Sequence, residues 1–393
     1  MYPDVVIVGG GIIGCSCAYY LSLEGLRVHL VERGPLLYGA SKAGETQISA
    51  FAGDETGIDI QLALESARLY ATLSEELPLD IEYEKVGTIG FAESEEDFQW
   101  LTKAVRQLAD VDDVRYELLT FDELARWEPV LAQSSIAGAV FFPDEPTIQP
   151  HLAALGLARV AMDHGALIQT FAEVTGFELS ASSEIMAVNT TAGKIPTKVV
   201  VCAAGAWSGI IGRMIGLNLP IRPCKGQIVV TQAVPRIFNH RVVMEAAFAA
   251  AIESSSGDTT GRQLAITANI HQTARGNLLL GSSGEYVGFD CRVDPEVIMG
   301  IVARNLRFVP GLGGVHAIRA YAGLRPYTLD GLPVIGEVDQ VRGFYIAAGH
   351  QKGGITRGPI TGKLIGQLIL GQEPDLPLTE LSPARFLHSQ DGD

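Results

Sequence analysis

Cysteine is scarce. The 393 residues hold five (Cys15, Cys17, Cys202, Cys224 and Cys291), an odd number with no C-x-x-C among them. A disulfide framework or a self-contained zinc or iron–sulfur site is therefore not expected. The eight histidines show no H-x-x-x-H or H-E-x-x-H spacing, so no metal site is expected either. No run of about 18 apolar residues occurs, as a membrane-crossing helix would need. The first apolar run, Val5–Val8, lacks the basic flank and the length of a signal peptide. These absences point to a soluble chain of a reducing compartment, the cytoplasm. Basic residues are few as well, with 29 Lys and Arg against 45 Asp and Glu and a formal net charge of −16. Nucleic-acid phosphates require clustered cations, so that class of partner is not expected. Only 19% of the chain is charged and 47% is hydrophobic, which argues against disorder and for a large buried core.

Glycine is abundant, 44 residues with no Gly-X-Y period, so each calls for a positional explanation. Gly9-Gly10-Gly11-Ile12-Ile13-Gly14 reads G-x-G-x-x-G. It stands between a continuous β-branched run, Val5–Val8, and a helical stretch, Gly11–Leu23, that Gly25 stops. Arg27–Glu32 then returns as a second strand, completing a βαβ unit. Gly9 permits the tight turn, Gly11 lets the backbone approach a pyrophosphate, and Gly14 lets helix and strand pack closely. The helix start at Ile12 and Ile13 offers free N–H groups and a positive dipole end to phosphates. Glu32, 18 residues beyond Gly14 and followed by Arg33, would accept ribose hydroxyls and repel a 2′-phosphate. The motif predicts a dinucleotide and disfavours NADP. It does not separate NAD from FAD, and an ordinary glycine-rich turn is its bland alternative.

Beyond this unit, Leu62, Leu69, Leu73 and Leu77 share one helical face before Pro78. Gly87–Ala92 and Ala139–Phe142 read as strands around a helix striped by Phe98, Leu101, Val105 and Leu108. His151–His164 reads as a helix stopped by Gly165. Ala166–Leu179, Ile185–Thr190 and Lys198–Ala203 follow as strands, then Ile228–Thr231, Gln263–Ala268 and Asn277–Gly281 as strands of a larger sheet. Residues 254–262 form the one linker-like stretch. Pro295–Phe308 is a predicted helix, Leu332–Ile335 and Phe344–Ala348 are strands, and Thr356–Leu370 is an amphipathic helix before a polar tail.

A second glycine loop, Gly349-His350-Gln351-Lys352-Gly353-Gly354-Ile355, joins a buried strand to that last helix. Reduced flavin holds negative charge along N1 and C2=O, and a helix N-terminus placed there stabilises it. The alternative is another plain turn. A position far in sequence from the first loop suits a flavin ring lying away from its adenosine.

These segments resemble the FAD-dependent amine and amino-acid oxidoreductases that include D-amino-acid oxidase, glycine oxidase and sarcosine oxidase. The likeness runs through VIVGGGIIG…VHLVERG, VVVCAAGAWS and AGLRPYTLDGLPVIG…GFYIAAGHQKGGITRGPITGKLI. The first piece is common to many flavoproteins, whereas the last is far more specific. Its ending looks closest to flavin subunits of multi-subunit dehydrogenases, such as hydrogen cyanide synthase, opine oxidase and hydroxyproline dehydrogenase. The resemblance implies an α/β fold, a Rossmann-like FAD-binding domain built from discontinuous segments with an inserted antiparallel-sheet substrate domain. We expect 1–80, 145–222 and 318–380 in the first, 81–144 and 223–317 in the second, and 381–393 as a polar tail.

The resemblance also assigns roles. The Ser41-Lys42-Ala43-Gly44 loop, with Gln47 and Ile48, would pass the pyrophosphate and reach the isoalloxazine edge; an ordinary polar loop is the alternative. Val174 would pack backbone on the adenine, and Ala203-Ala204-Gly205 would approach the cofactor closely. Trp207 reads first as core packing, with the cofactor as its alternative contact. Within Ala322-Gly323-Leu324-Arg325-Pro326, Arg325 matches the residue that grips a substrate carboxylate bidentately; the alternative is an ion pair with Asp330. Lys352 matches an assisting basic position and is equally readable as a surface lysine. His350 invites a general-base role, yet its place inside a cofactor loop favours hydrogen bonding. No cysteine lies in Ala320–Pro326, where some members attach flavin covalently, so noncovalent FAD is expected.

The implied activity is oxidation of the C–N bond of an amino acid or secondary-amine amino acid. Hydride would leave the α-carbon for flavin N5, and electrons would pass to a larger flavin- or iron–sulfur-bearing partner subunit in a hetero-oligomer. The alternatives are a stand-alone oxidase of glycine-oxidase type, an electron-transfer flavin subunit without its own substrate site, and a simple NAD dehydrogenase. Glycine, proline, hydroxyproline, opines and sarcosine all stay open as substrates.

Overall fold

The computed structural model describes residues 2–49, 57–109, 111–240, 242–246 and 264–387. The linker-like stretch 254–262 and residues 388–393 of the tail lie outside the described residues. A six-stranded sheet runs, edge to edge, Val334–Glu337, Phe344–Ala348, Val200–Cys202, Val5–Val8, Val28–Val31, Leu167–Gln169. Every adjacent pair is parallel except the first. Val5, Val6 and Ile7 have no exposed surface, which is why the run carries no polar alternation. Helices Ile12–Leu23 and Gly354–Leu370 lie against each other, so the first and last segments of the chain meet here.

An eight-stranded sheet runs Ala317–Tyr327, Arg222–Ala233, Asn277–Glu285, Leu264–Gln272, Val242–Glu245, Thr88–Ala92, Gly138–Phe142, Glu117–Thr120. It is antiparallel apart from one parallel contact, between Val242–Glu245 and Thr88–Ala92. Its own apolar core includes Ile89, Phe91, Val229, Ile270, Leu280 and Phe308. Val174–Leu179, Ile185–Thr190 and Gly193–Pro196 form a small antiparallel sheet.

Five elements depart from the sequence reading. Ala166–Leu179 is not one strand: Leu167–Gln169 closes the six-stranded sheet and Val174–Leu179 opens the small one. Between them Phe171 takes a φ of 56°, which turns the chain. The strand expected at Ile228–Thr231 spans Arg222–Ala233, because its middle is buried on both faces and shows no alternation. Its neighbour Ala317–Tyr327 belongs to the same sheet, although residues from 318 onward were expected with the nucleotide segments. The helices Phe121–Trp127 and Ser208–Arg213 are too short to show a period.

Candidate functional site

The parallel strands deliver their ends to one place. After Val5–Val8 the chain turns at Gly9, whose φ of 110° suits glycine alone. A β-carbon on Gly14 would collide with the Gly9 carbonyl, so the helix can start this close to the strand only with glycine there. Glu32, at the end of the neighbouring strand, is 8% exposed. One of its oxygens accepts the Gly10 N–H at 2.7 Å and the other the Gly34 N–H at 2.9 Å. These bonds fix the carboxylate toward the loop and leave each oxygen a further lone pair.

Ser41 closes over the helix start, its Oγ accepting the Ile12 N–H at 3.0 Å. Helix Ile12–Leu23 has no acidic side chain in its first turn to compete with an incoming anion. Beside it the Arg33 guanidinium lies 3.9 Å over the Trp207 ring and 5.4 Å from that of Tyr38. Trp207 is half-buried and faces the cavity and Phe289, which corrects its reading as core packing.

At the other end, Phe344–Ala348 leads through Gly349–Gly353 into helix Gly354–Leu370. The Gln351 N–H donates to the Pro326 carbonyl at 3.0 Å and ties this loop to the strand that carries Arg325. Arg325 donates from Nη1 to Ser283 O at 2.7 Å and from Nη2 to Ser282 Oγ at 3.2 Å. Asp330 is engaged by Arg385 at 2.7 Å. His350 is 3% exposed, and burial, helped by the Arg357 charge, pushes its pKa down to about 3. Its Nε2 lies 2.9 Å from Thr361 Oγ1, whose own proton goes to Arg357 O, so the neutral ring donates from Nε2. That partner and that pKa suit a positioning group and not a base working near neutrality. Lys352 is half-buried.

One cavity of about 290 Å³ joins these groups. Gly9, Gly11, Ile12, Ile13, Glu32, Arg33, Ser41, Gly44, Gln47, Val174, Ala203, Ala204, Gly205 and Trp207 line it. So do Arg325 and the loop His350, Gln351, Lys352, Gly353, Gly354 and Ile355. Five expected residues lie behind its wall. Gly14 packs on Gly9, Gly323 on Ala43 and Gly349 on Thr328. Ile48 joins the apolar cluster around Tyr70, and Lys42 turns its ammonium to the Tyr38 ring at 4.8 Å. Sequence reasoning missed Tyr38, Glu45, Met244, Asn269 and Ser282, which also line the cavity. The cavity therefore has the Glu32 carboxylate, a helix start and the Arg325 guanidinium along its wall, a set of groups that fits FAD.

Comparison with known proteins agrees. The sequence profile of the FAD dependent oxidoreductase (DAO) family matches residues 4–368. The chain belongs to that family. FAD is accordingly its cofactor. A glycine oxidase of Geobacillus kaustophilus is 31% identical over 390 residues, covering 98% of this chain and 97% of the relative. Hydrogen cyanide synthase subunit HcnC of Pseudomonas aeruginosa is also 31% identical, covering 98% and 96%. Among solved structures, the G. kaustophilus glycine oxidase superposes with a TM-score of 0.87 at 30% identity, covering 97% of this chain and 98% of that one. An L-proline dehydrogenase from P. horikoshii gives 0.85 at 26%, covering 98% of both. Among the described residues of this family member no helix is long and apolar enough to cross a membrane.

Proposed function

We propose that this protein oxidises the C–N bond of an amino acid or secondary-amine amino acid and passes the electrons to a partner subunit. The observation that carries the reading is Arg325, a guanidinium facing the same cavity as the nucleotide loop and Glu32. Bound FAD supplies the hydride acceptor, and the chain supplies position and charge. Arg325 grips the substrate carboxylate with its planar fork and holds the α-carbon in place, a task an ammonium performs less well. Ser282 and Ser283 steady that fork. The Gly349–Gly353 turn and the start of helix Gly354–Leu370 stabilise negative charge that develops beside them. Lys352 adds positive charge at the same wall. The glycine loop, Ser41 and Glu32 hold the dinucleotide half of the cofactor. The segments 1–80, 145–222 and 318–380 serve the cofactor and 81–144 and 223–317 the substrate, with Ala317–Tyr327 bridging the two.

Likeness to a hydrogen cyanide synthase subunit supports transfer to a partner chain. Equal likeness to a glycine oxidase supports a second reading, an enzyme that uses oxygen alone. Purified protein should be mixed anaerobically with glycine, sarcosine, proline, hydroxyproline and opines while the flavin absorption is followed. Bleaching by at least one of them is expected, and none bleaching would overturn the reading. Reoxidation by air compared with an artificial acceptor then decides between the two electron routes.

A further inference from the structure

We infer that Glu45 and Asn269 form a subsite for the amine nitrogen of the substrate, beside the carboxylate site of Arg325. This deepens the proposed function and rests on it. Glu45 follows Gly44 in the cofactor loop and lines the cavity with Asn269, Ser282 and Arg325. Asn269 lies within strand Leu264–Gln272 and is 5% exposed. Its backbone N–H donates to Asn305 Oδ1 at 3.1 Å, and its Nδ2 donates to Glu45 Oε1 at 3.0 Å. A carboxylate only accepts hydrogen bonds, so the amide must present its NH₂ to Glu45. Asn269 Oδ1 is then an acceptor, buried, and it has no hydrogen-bond partner.

Two acceptors thus stand side by side, and among the described residues no Lys or Arg forms an ion pair with Glu45. The partly buried carboxylate has one amide donor and keeps its charge unpaired by Lys or Arg, and the amide oxygen beside it has no donor, which favours a ligand bearing N–H donors and positive charge. The neighbourhood says which ligand. A β-carbon on Gly281 would lie 2.8 Å from Glu45 Oε1, and the next residue, Ser282, receives Arg325 Nη2. Carboxylate receptor and amine receptor therefore lie beside adjacent residues of one strand. A molecule with a carboxylate and an amine a bond or two apart satisfies both. A 2-hydroxy acid satisfies the first and offers a single O–H, uncharged, to the second.

Glu45→Gln keeps the shape and removes the charge. Apparent dissociation constants for glycine, sarcosine and proline come from the concentration dependence of flavin bleaching, or from the flavin band shift where no bleaching occurs. Glycolate, titrated in parallel by band shift, reports the carboxylate site alone. Glu45→Gln should weaken the amines tenfold or more and leave glycolate within twofold, while Arg325→Ala weakens both. Flavin content and melting temperature guard against a folding defect, and Glu45→Leu with the same selectivity would reinforce the assignment. Equal loss for amines and glycolate, or no loss for either, overturns the subsite. Absence of bleaching by any amine in the parent protein overturns the proposed function instead, and the band-shift comparison still judges Glu45.

Discussion

The guanidinium of Arg325 rests on the bare backbone of Gly226, so closely that a β-carbon there would overlap it. Gly226 lies on the adjacent strand, paired with Gly323, while Cys224 pairs with Arg325 itself. Gly226 has no part in any nucleotide motif. It acts as a floor for the Arg325 side chain, and the Ser282 and Ser283 acceptors set the direction of the fork.

Arg325→Ala should keep its flavin and lose about 2–4 kcal/mol of substrate binding, roughly 30- to 1000-fold. Arg325→Lys should be nearly as damaging, since ammonium does not reproduce the fork. Gly226→Ala should raise the Michaelis constant by about tenfold to a hundredfold through displacement of the guanidinium, with flavin content unchanged. Steady-state kinetics on the three variants checks this, and parent-like constants in all of them would return Arg325 to a purely structural role.

At the opposite end, Glu32→Gln places an NH₂ group against the Gly10 or Gly34 N–H that the carboxylate now accepts. Two donors facing each other, together with the lost charge-assisted bonds, should weaken FAD retention by about 1–3 kcal/mol, or roughly 5- to 150-fold. The ratio of flavin absorption to protein absorption after dialysis measures the loss. A variant that holds FAD as the parent does would remove Glu32 from the cofactor site.

What the sequence made legible was local. The glycine loop, Glu32 and the Gly349–Gly354 turn each sit within a few residues of a strand end, so spacing alone locates them. Arg325 was reachable through the A-G-L-R-P likeness. Asn269 and Ser282 were not: antiparallel pairing sets Asn269 across from Gly281, the neighbour of Ser282, more than two hundred residues beyond the Glu45 that Asn269 meets, and neither has a marker of its own. Met244 shares that difficulty, being on the short strand that joins the two halves of the large sheet by its parallel edge. The long strand Arg222–Ala233 was underestimated for a related reason: burial on both faces erases the period-two signal.

Cys224 stands across from Arg325 in register. It is fully buried, burial pushes its thiol up, and it is not among the cavity-lining residues. Burial likewise raises Cys15 to about 12 and Cys202 to about 11, so neither forms thiolate near neutrality. Acid precipitation should therefore release FAD into a yellow supernatant over a white pellet. A thiol reagent should modify Cys291, the exposed cysteine, promptly in the folded protein, and the other four only on unfolding. Colour that stays with the acid pellet would refute noncovalent binding.

His350 supplies the last prediction, through the sign of its shift. In an unfolded chain its imidazole titrates at about 6.5, but burial and the Arg357 charge hold it down to about 3 in the fold. Between those values the unfolded chain binds a proton that the folded one refuses. The contribution of His350 is therefore present in full above about pH 6.5. It declines on acidification by about 1.4 kcal/mol per pH unit until the folded ring is protonated. Burial shifts His271 in the same direction, so it adds to the same slope. His350→Gln should be less stable near pH 7, where the bond to Thr361 is altered, and should lose stability less steeply between pH 6 and 4. Melting temperatures across that range measure the slope. Because the ring is neutral throughout the working range, the shape of the kcat/KM profile from pH 6 to 9 should be the same in parent and variant. A limb near pH 6.5 that disappears in His350→Gln would restore His350 as a general base.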